Sequence, residues 1–142
     1  MLRVSYLLAL KGKDVWSVDP DAPVLEAIRL MADRHIGALP VVRGGELLGI
    51  VSERDYARKI ILMGRSSVDT PVRDIMTSPV TTISPDEAVH NCMEIMTQKR
   101  IRHLPVVDRT GLVGMISIGD LVKAVIEEQQ QTIDHLERYI AS

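Results

Sequence analysis

Two short motifs in the sequence place a carboxylate three residues after a hydroxyl: Ser52-Glu53-Arg54-Asp55 and Ser117-Ile118-Gly119-Asp120. Each closes an apolar, strand-like run and opens a helical pattern. At a helix start, serine and aspartate can satisfy backbone N–H groups that the first turn leaves free. The same groups can also bind a ligand. A carboxylate accepts hydrogen bonds from the vicinal hydroxyls of a ribose, and a hydroxyl beside free N–H groups suits a phosphate. In one isolated copy, capping and binding are both open. Cations stand close by in sequence. Arg100, Arg102 and His103 precede a second apolar run, and Arg54, Arg58 and Lys59 surround the first helix start. Arginine grips phosphate with two parallel hydrogen bonds, although a run of charge is also how a solvated face reads.

The elements around these motifs occur twice. Val18–Ala57 lies on Ile83–Val122 without a gap, at the offset of 65 that carries Pro20 onto Pro85. Asp21 meets Asp86, Met31 meets Met96, and Leu39-Pro40-Val41-Val42 meets Leu104-Pro105-Val106-Val107. Gly49, Ser52 and Asp55 meet Gly114, Ser117 and Asp120. Upstream, Val4–Leu8 resembles Val72–Met76 at an offset of 68. Internal repetition of this kind identifies the structural unit before any element is assigned.

Each unit reads as β-α-β-β-α. Asp14–Val18 and Val80–Ile83 are expected to be short strands running into the turns Asp19-Pro20-Asp21 and Ser84-Pro85-Asp86. Helices follow, from about Pro23 to His35 and Ala88 to Arg100. Val24, Ile28 and Met31, and Val89, Met93 and Met96, recur at the 4-then-3 spacing of one helical face. Pro23 suits the first helical turn. Leu39–Val42 with Leu47–Ser52, joined at Gly44-Gly45, predicts a hairpin, as does Leu104–Val107 with Leu112–Ser117. A second helix begins near Asp55 and near Asp120. Gly64 suits the end of the former, and Gly64–Pro71 reads as the linker. Two helices and a hairpin bury little surface alone. The expectation is therefore a pseudo-twofold pair packed sheet on sheet around a shared core, with clefts where the copies meet. The expected division is 1–65 for the first repeat with its N-terminal segment, 66–126 for the second, and 127–142 for a helical tail.

Composition excludes several classes. The 142 residues carry 17 Lys+Arg against 19 Asp+Glu, a formal charge of −2, which argues against a nucleic-acid binder driven by phosphate contacts. Aromatics are 3% and Phe is absent, so base-stacking platforms are not expected. Apolar stretches of four or five residues are far short of the roughly 20 that span a bilayer. No secretory signal pattern opens the sequence. One cysteine excludes an internal disulfide and a multi-cysteine zinc site, and the expected compartment is the cytosol.

The two ordered sets are together recognisable. Asp19-Pro20-Asp21…Gly37-Ala38-Leu39-Pro40-Val41-Val42…Gly49-Ile50-Val51-Ser52-Glu53-Arg54-Asp55 resembles a CBS domain. Ser84-Pro85-Asp86…Arg102-His103-Leu104-Pro105-Val106-Val107…Gly114-Met115-Ile116-Ser117-Ile118-Gly119-Asp120 resembles another. The chain thus resembles a stand-alone CBS pair, or Bateman module, of α+β (α/β) class. The resemblance implies a regulatory module that binds AMP, ADP, ATP, NAD or S-adenosylmethionine in clefts between the repeats, signals to a regulated protein, and pairs as a homodimeric disk. It makes Ser-x-x-Asp the ribose–phosphate motif and lets the aspartate of one repeat work with the opening strand of the other. Carried over, Ile50, Ser52, Arg54 and Asp55 share a site with Val80, Thr81, Arg102, His103 and Pro105. Met115, Ser117, Gly119 and Asp120 share one with Val15, Trp16, Gly37, Ala38 and Pro40. The second site lacks the cations of the first, so phosphate affinity is expected to concentrate at Asp55.

The remaining candidates read as structural. Cys92 is a small core residue without a His/Asp partner in the pattern. His35, His90, His103 and His135 lack metal-ligand spacing. No base–nucleophile pair or phosphate loop stands out, so catalysis is not expected. In the tail, Ile126, Ile133, Leu136 and Ile140 follow coiled-coil spacing. That seam can pack back on its own module or join a second copy. The competing reading of the whole chain is a structural dimerisation protein with vestigial clefts.

Overall fold

The computed structural model describes residues 1–12 and 14–141; Ser142, the last residue of the expected tail, lies outside them. The first repeat has helix α2 (Val24–Arg34) and a hairpin of β1 (Ala38–Arg43) and β2 (Glu46–Ser52), followed by α3 (Glu53–Tyr56), which runs into a π-helical turn at Ala57–Ile61. The second has α4 (Val89–Lys99), a hairpin of β3 (His103–Asp108) and β4 (Gly111–Ser117), and the 24-residue α5 (Ile118–Ala141). The chain opens with α1 (Val4–Lys11), and a 3-10 turn at Val72–Asp74 stands at the corresponding place before the second repeat. The hairpins share one register, with Ala38 opposite Ser52 and His103 opposite Ser117, and both bulge between the two Val of their Leu-Pro-Val-Val runs, at Val41/Val42 and Val106/Val107. Gly44 and Gly45 both take positive φ, the backbone that a two-residue hairpin turn requires.

The expected opening strands are reduced to single parallel bridges, Val18 to Val41 and Ile83 to Val106. Prolines explain this. Val18 N–H donates to the Pro40 carbonyl and Val42 N–H to the Val18 carbonyl. The next rungs would need N–H groups from Pro40 on one side and Pro20 on the other, and neither has one. Pro105 and Pro85 stop the second ladder in the same way. Pro23 and Ala88 are N-caps in extended backbone, one residue before the first helical residue. Both helices end on a left-handed residue, His35 and Arg100 at φ 55.

In place of one shared core, there are two. Val18, Val24, Ala27, Met31, Leu39, Val41, Val51 and Ile60 bury with Val72 and Ile75. Ile83, Val89, Cys92, Met96, Leu104, Val106, Ile116 and Leu121 bury with Val4 and Leu7. The segment that precedes each repeat therefore completes the core of the other. The same clasp holds both exchanges. Val4 N–H donates to Glu87 and Val89 N–H to Leu2; Val72 N–H donates to Ala22 and Val24 N–H to Thr70. Two glycines admit the exchanged segments. A Cβ at Gly49 would meet Met76 Sδ at 2.7 Å, and one at Gly114 would meet Leu8 Cδ2 at 2.4 Å. Strands β2 and β4 adjoin between the two halves. Helix α5 packs only through its first part, where Leu121 and Ala124 are buried; Ile126, Ile133, Leu136 and Ile140 are exposed, so the seam does not pack back on this chain.

Candidate functional site

Both Ser-x-x-Asp motifs act as caps. The Ser52 hydroxyl accepts from Asp55 N–H (3.1 Å), and Asp55 Oδ2 accepts from Ser52 N–H (2.9 Å) and from the Ser52 hydroxyl (3.0 Å). This reciprocal pair is a capping box. Its geometry leaves the Oδ1 side toward Lys59 Nζ at 3.2 Å and Thr77 Oγ1 at 3.5 Å. The π-helical turn carries Lys59 back over the carboxylate, and its ammonium also donates to the Ile75 carbonyl (2.8 Å). Such turns are frequent at functional sites. Across from β2, Thr77 pairs with Ile50 through two backbone hydrogen bonds.

Asp55 borders a cleft of about 700 Å³, within the usual range for small-ligand sites. From the first repeat it takes Gly37, Ile50, Ser52, Glu53, Arg54, Asp55, Arg58 and Lys59; from the second and its approach it takes Thr77, Pro79, Val80, Thr81, Arg100, Ile101, Arg102, His103 and Ile118. Four arginines and a lysine thus gather in one cavity, which raises the local concentration of anions. Burial, followed by the charge of Lys11, lowers the His103 pKa below the usual imidazole value; Asp120 opposes the shift and Arg102 adds to it.

The Asp120 motif differs. Asp120 Oδ2 accepts from Ser117 N–H (2.8 Å) and from Lys11 Nζ (2.7 Å), and Lys11 also donates to the Met115 carbonyl (2.8 Å). Burial alone would raise the Asp120 pKa. The hydrogen bonds from Lys11 and Ser117, with the Lys11 charge, more than offset it and hold the carboxyl below its ordinary value.

The structure brings Ile50, Ser52, Arg54, Asp55, Val80, Thr81, Arg102 and His103 to one cleft, with Arg58, Lys59 and Arg100. Other expected residues stand elsewhere. Gly37, assigned to the Asp120 group, lines the Asp55 cleft, where a Cβ would stand 3.2 Å from Glu53 Oε1 and 3.4 Å from the His103 ring. Hairpin register puts Ala38 opposite Ser52, Pro40 opposite Ile50 and Pro105 opposite Met115. All three are buried, and none of them lines the Asp55 cleft. Trp16 packs against the first repeat's core, with the Arg34 guanidinium 3.8 Å from its ring centroid; Val15 beside it is half-buried. Gly119 is exposed. Sequence reasoning missed Lys11, Thr77, Pro79, Glu53, Ile101 and Ile118. For Thr77 and Pro79 the signal was position, since they directly precede Val80.

Comparisons with known proteins agree on the fold. The family model for the CBS domain matches residues 10–62 and 72–127. The CBS domain-containing protein CBSX3, mitochondrial, of Arabidopsis thaliana is 43% identical over 147 residues, covering 96% of this chain and 71% of that one. A solved structure of a protein with CBS domains from Burkholderia ambifaria MC40-6 superposes with a TM-score of 0.83 at 48% identity, over 89% of this chain and 93% of that chain. The CBS domain pair of protein MJ0100, solved with 5-methylthioadenosine and S-adenosyl-L-methionine, has a TM-score of 0.80 at 25% identity, over 90% and 98% of the two chains.

Proposed function

The chain belongs to the CBS-domain family, and on that premise we propose that it is a non-catalytic regulatory module whose Asp55 cleft holds an adenosine-containing ligand: AMP, ADP, ATP or NAD. The observation that carries this reading is the cleft's composition. A carboxylate already fixed by its cap shares one cavity with Arg54, Arg58, Lys59, Arg100 and Arg102, while Ile50, Val80, Ile101 and Ile118 offer apolar surface for a base. The adenosine compounds in the MJ0100 structure support the ligand class. Binding would shift the placement of the repeats or of α5, and a partner would read the shift; this requires different affinities for two states. The partners we infer are a second copy, in a homodimer, and a regulated protein. The compartment we infer is the cytosol, on a single unpaired cysteine. No helix among the described residues is long and apolar enough to cross a membrane.

Mass spectrometry of small molecules released from the purified protein is the direct test. Calorimetry on stripped protein should then show micromolar binding, about −8 kcal/mol, for at least one of the four ligands. Flat titrations with all of them overturn the reading. One observation favours a second reading, structural dimerisation: Val122, Ile126, Ile133, Leu136 and Ile140 form an exposed apolar seam on α5. Protein that dimerises but neither retains nor binds nucleotide would support it.

A further inference from the structure

Lys11 closes α1 and reaches a carboxylate 109 residues away. Its ammonium holds the Asp120 carboxylate and the Met115 carbonyl together. At the repeat offset these correspond to Asp55 and Ile50. In the first repeat, the Ile50 carbonyl accepts from the Thr77 backbone and Asp55 faces Lys59, four residues along its own helix. The counterpart of Lys59 is Ala124, which is buried and uncharged. The second motif therefore takes its ammonium from a different helix, delivered by the exchange of opening segments.

Resting on the nucleotide reading of these motifs, we propose that Lys11 is the residue by which the Asp120 site discriminates phosphorylated from neutral nucleosides. A ribose that engages Asp120 competes with the Lys11 ammonium for the same carboxylate. A neutral nucleoside gives the displaced ammonium no new partner. A nucleotide supplies phosphate oxygens on which it can remake charge-assisted hydrogen bonds. The lysine stem is long and has several rotatable bonds, so the ammonium can change partners while the helix stays docked. Val4 and Leu7 remain buried against the second repeat and anchor that helix independently of Lys11.

The test is calorimetry with adenosine and AMP on the full chain carrying Asp55→Ala together with Arg102→Ala, which removes both the ribose and the phosphate contacts proposed for the first cleft. In that background AMP should bind at least about tenfold more tightly than adenosine, the effect of one charge-assisted contact. Adding Lys11→Met should reduce the ratio to within roughly threefold and tighten adenosine binding. Lys11→Arg, which keeps the charge, should restore the preference, so a loss of helix docking is distinguishable from a loss of selectivity. A ratio that Lys11→Met leaves unchanged overturns the inference. So does a silenced protein that binds neither ligand while wild type binds AMP, an outcome that leaves the Asp55 reading standing. Wild type that binds neither adenosine nor AMP overturns the inference, and wild type that binds none of AMP, ADP, ATP and NAD removes both.

Discussion

Gly37 and His103 lie against each other across the two repeats: a Cβ on Gly37 would stand 3.4 Å from both Cε1 and Nε2 of the imidazole. Their repeat counterparts are Arg102 and Ala38, so one copy places bulk where the other leaves space. The imidazole that fills this space is disfavoured as a cation by burial and by the Lys11 and Arg102 charges.

A pH dependence follows. His103 is neutral around pH 7 in the free protein, and a neighbouring phosphate favours its protonation. AMP binding should therefore take up a proton, in the pH range between the depressed imidazole pKa of the free protein and its raised value beside the phosphate. Calorimetry in two buffers of different ionisation enthalpy measures this, with adenosine as control. Equal proton uptake in His103→Gln would show that the imidazole does not face the phosphate. Because the folded pKa is depressed, the imidazole's contribution to stability is present above about 6.5 and is lost as pH falls through the folded value. His103→Gln should flatten that limb of the stability curve.

Asp55→Ala should weaken nucleotide binding by about 1.5–3 kcal/mol if the carboxylate holds a charge-assisted hydrogen bond to the ribose. It also removes the Asp55 half of the capping box and leaves the Ser52 cap, at up to about 1 kcal/mol of stability. Calorimetry and urea unfolding separate the two. A stability loss with unchanged affinity would make the motif a cap alone.

Arg102→Ala should cost AMP roughly tenfold or more in affinity and leave adenosine within about twofold, since only the phosphate loses a partner. Titrating both ligands against both proteins checks it, and equal losses would move the phosphate pocket elsewhere.

Gly49→Ala should destabilise the fold by about 1–3 kcal/mol, as overpacking does. The added methyl would meet Met76 Sδ at 2.7 Å and the Thr77 backbone carbonyl at 3.0 Å, and the carbonyl cannot swing aside. Gly114→Ala meets the end of the flexible Leu8 side chain first, at 2.4 Å, and should cost less. Urea midpoints in the reverse order would contradict this account of the exchange.

Cys92 is fully buried, and burial, aided by the Glu87 charge, pushes its thiol up to about 11. The native protein at about pH 8 should react with a thiol-exchange reagent only through unfolding, and rapidly in denaturant. Fast reaction of the folded protein would show that the second core opens locally.

The repeat, its hairpins and its helices were legible because apolar spacing and turn residues act locally. The Asp55 group was legible in outline, since Arg102 and His103 stand where the family resemblance places phosphate ligands. The opening strands were misread although Pro20, Pro40, Pro85 and Pro105 were in view, because the missing donors matter only once Val18 and Ile83 are known to bridge at Val41 and Val106. The exchange of segments was not legible. The apolar pattern of Val4 and Leu7 says that they are buried, and it does not say in which core. Lys11 was hidden for the same reason, since its role depends on where α1 docks.

The exchange separates two meanings of a module. Order along the chain assigns Val4 and Leu7 to the copy they precede, whereas packing assigns them to the other. A chain cut between Gly64 and Pro71 would yield two fragments, each missing one wall of its own core and exposing a wall built for its neighbour. The smallest autonomous object is thus the whole interlocked pair, and the period of the sequence is half the period of folding.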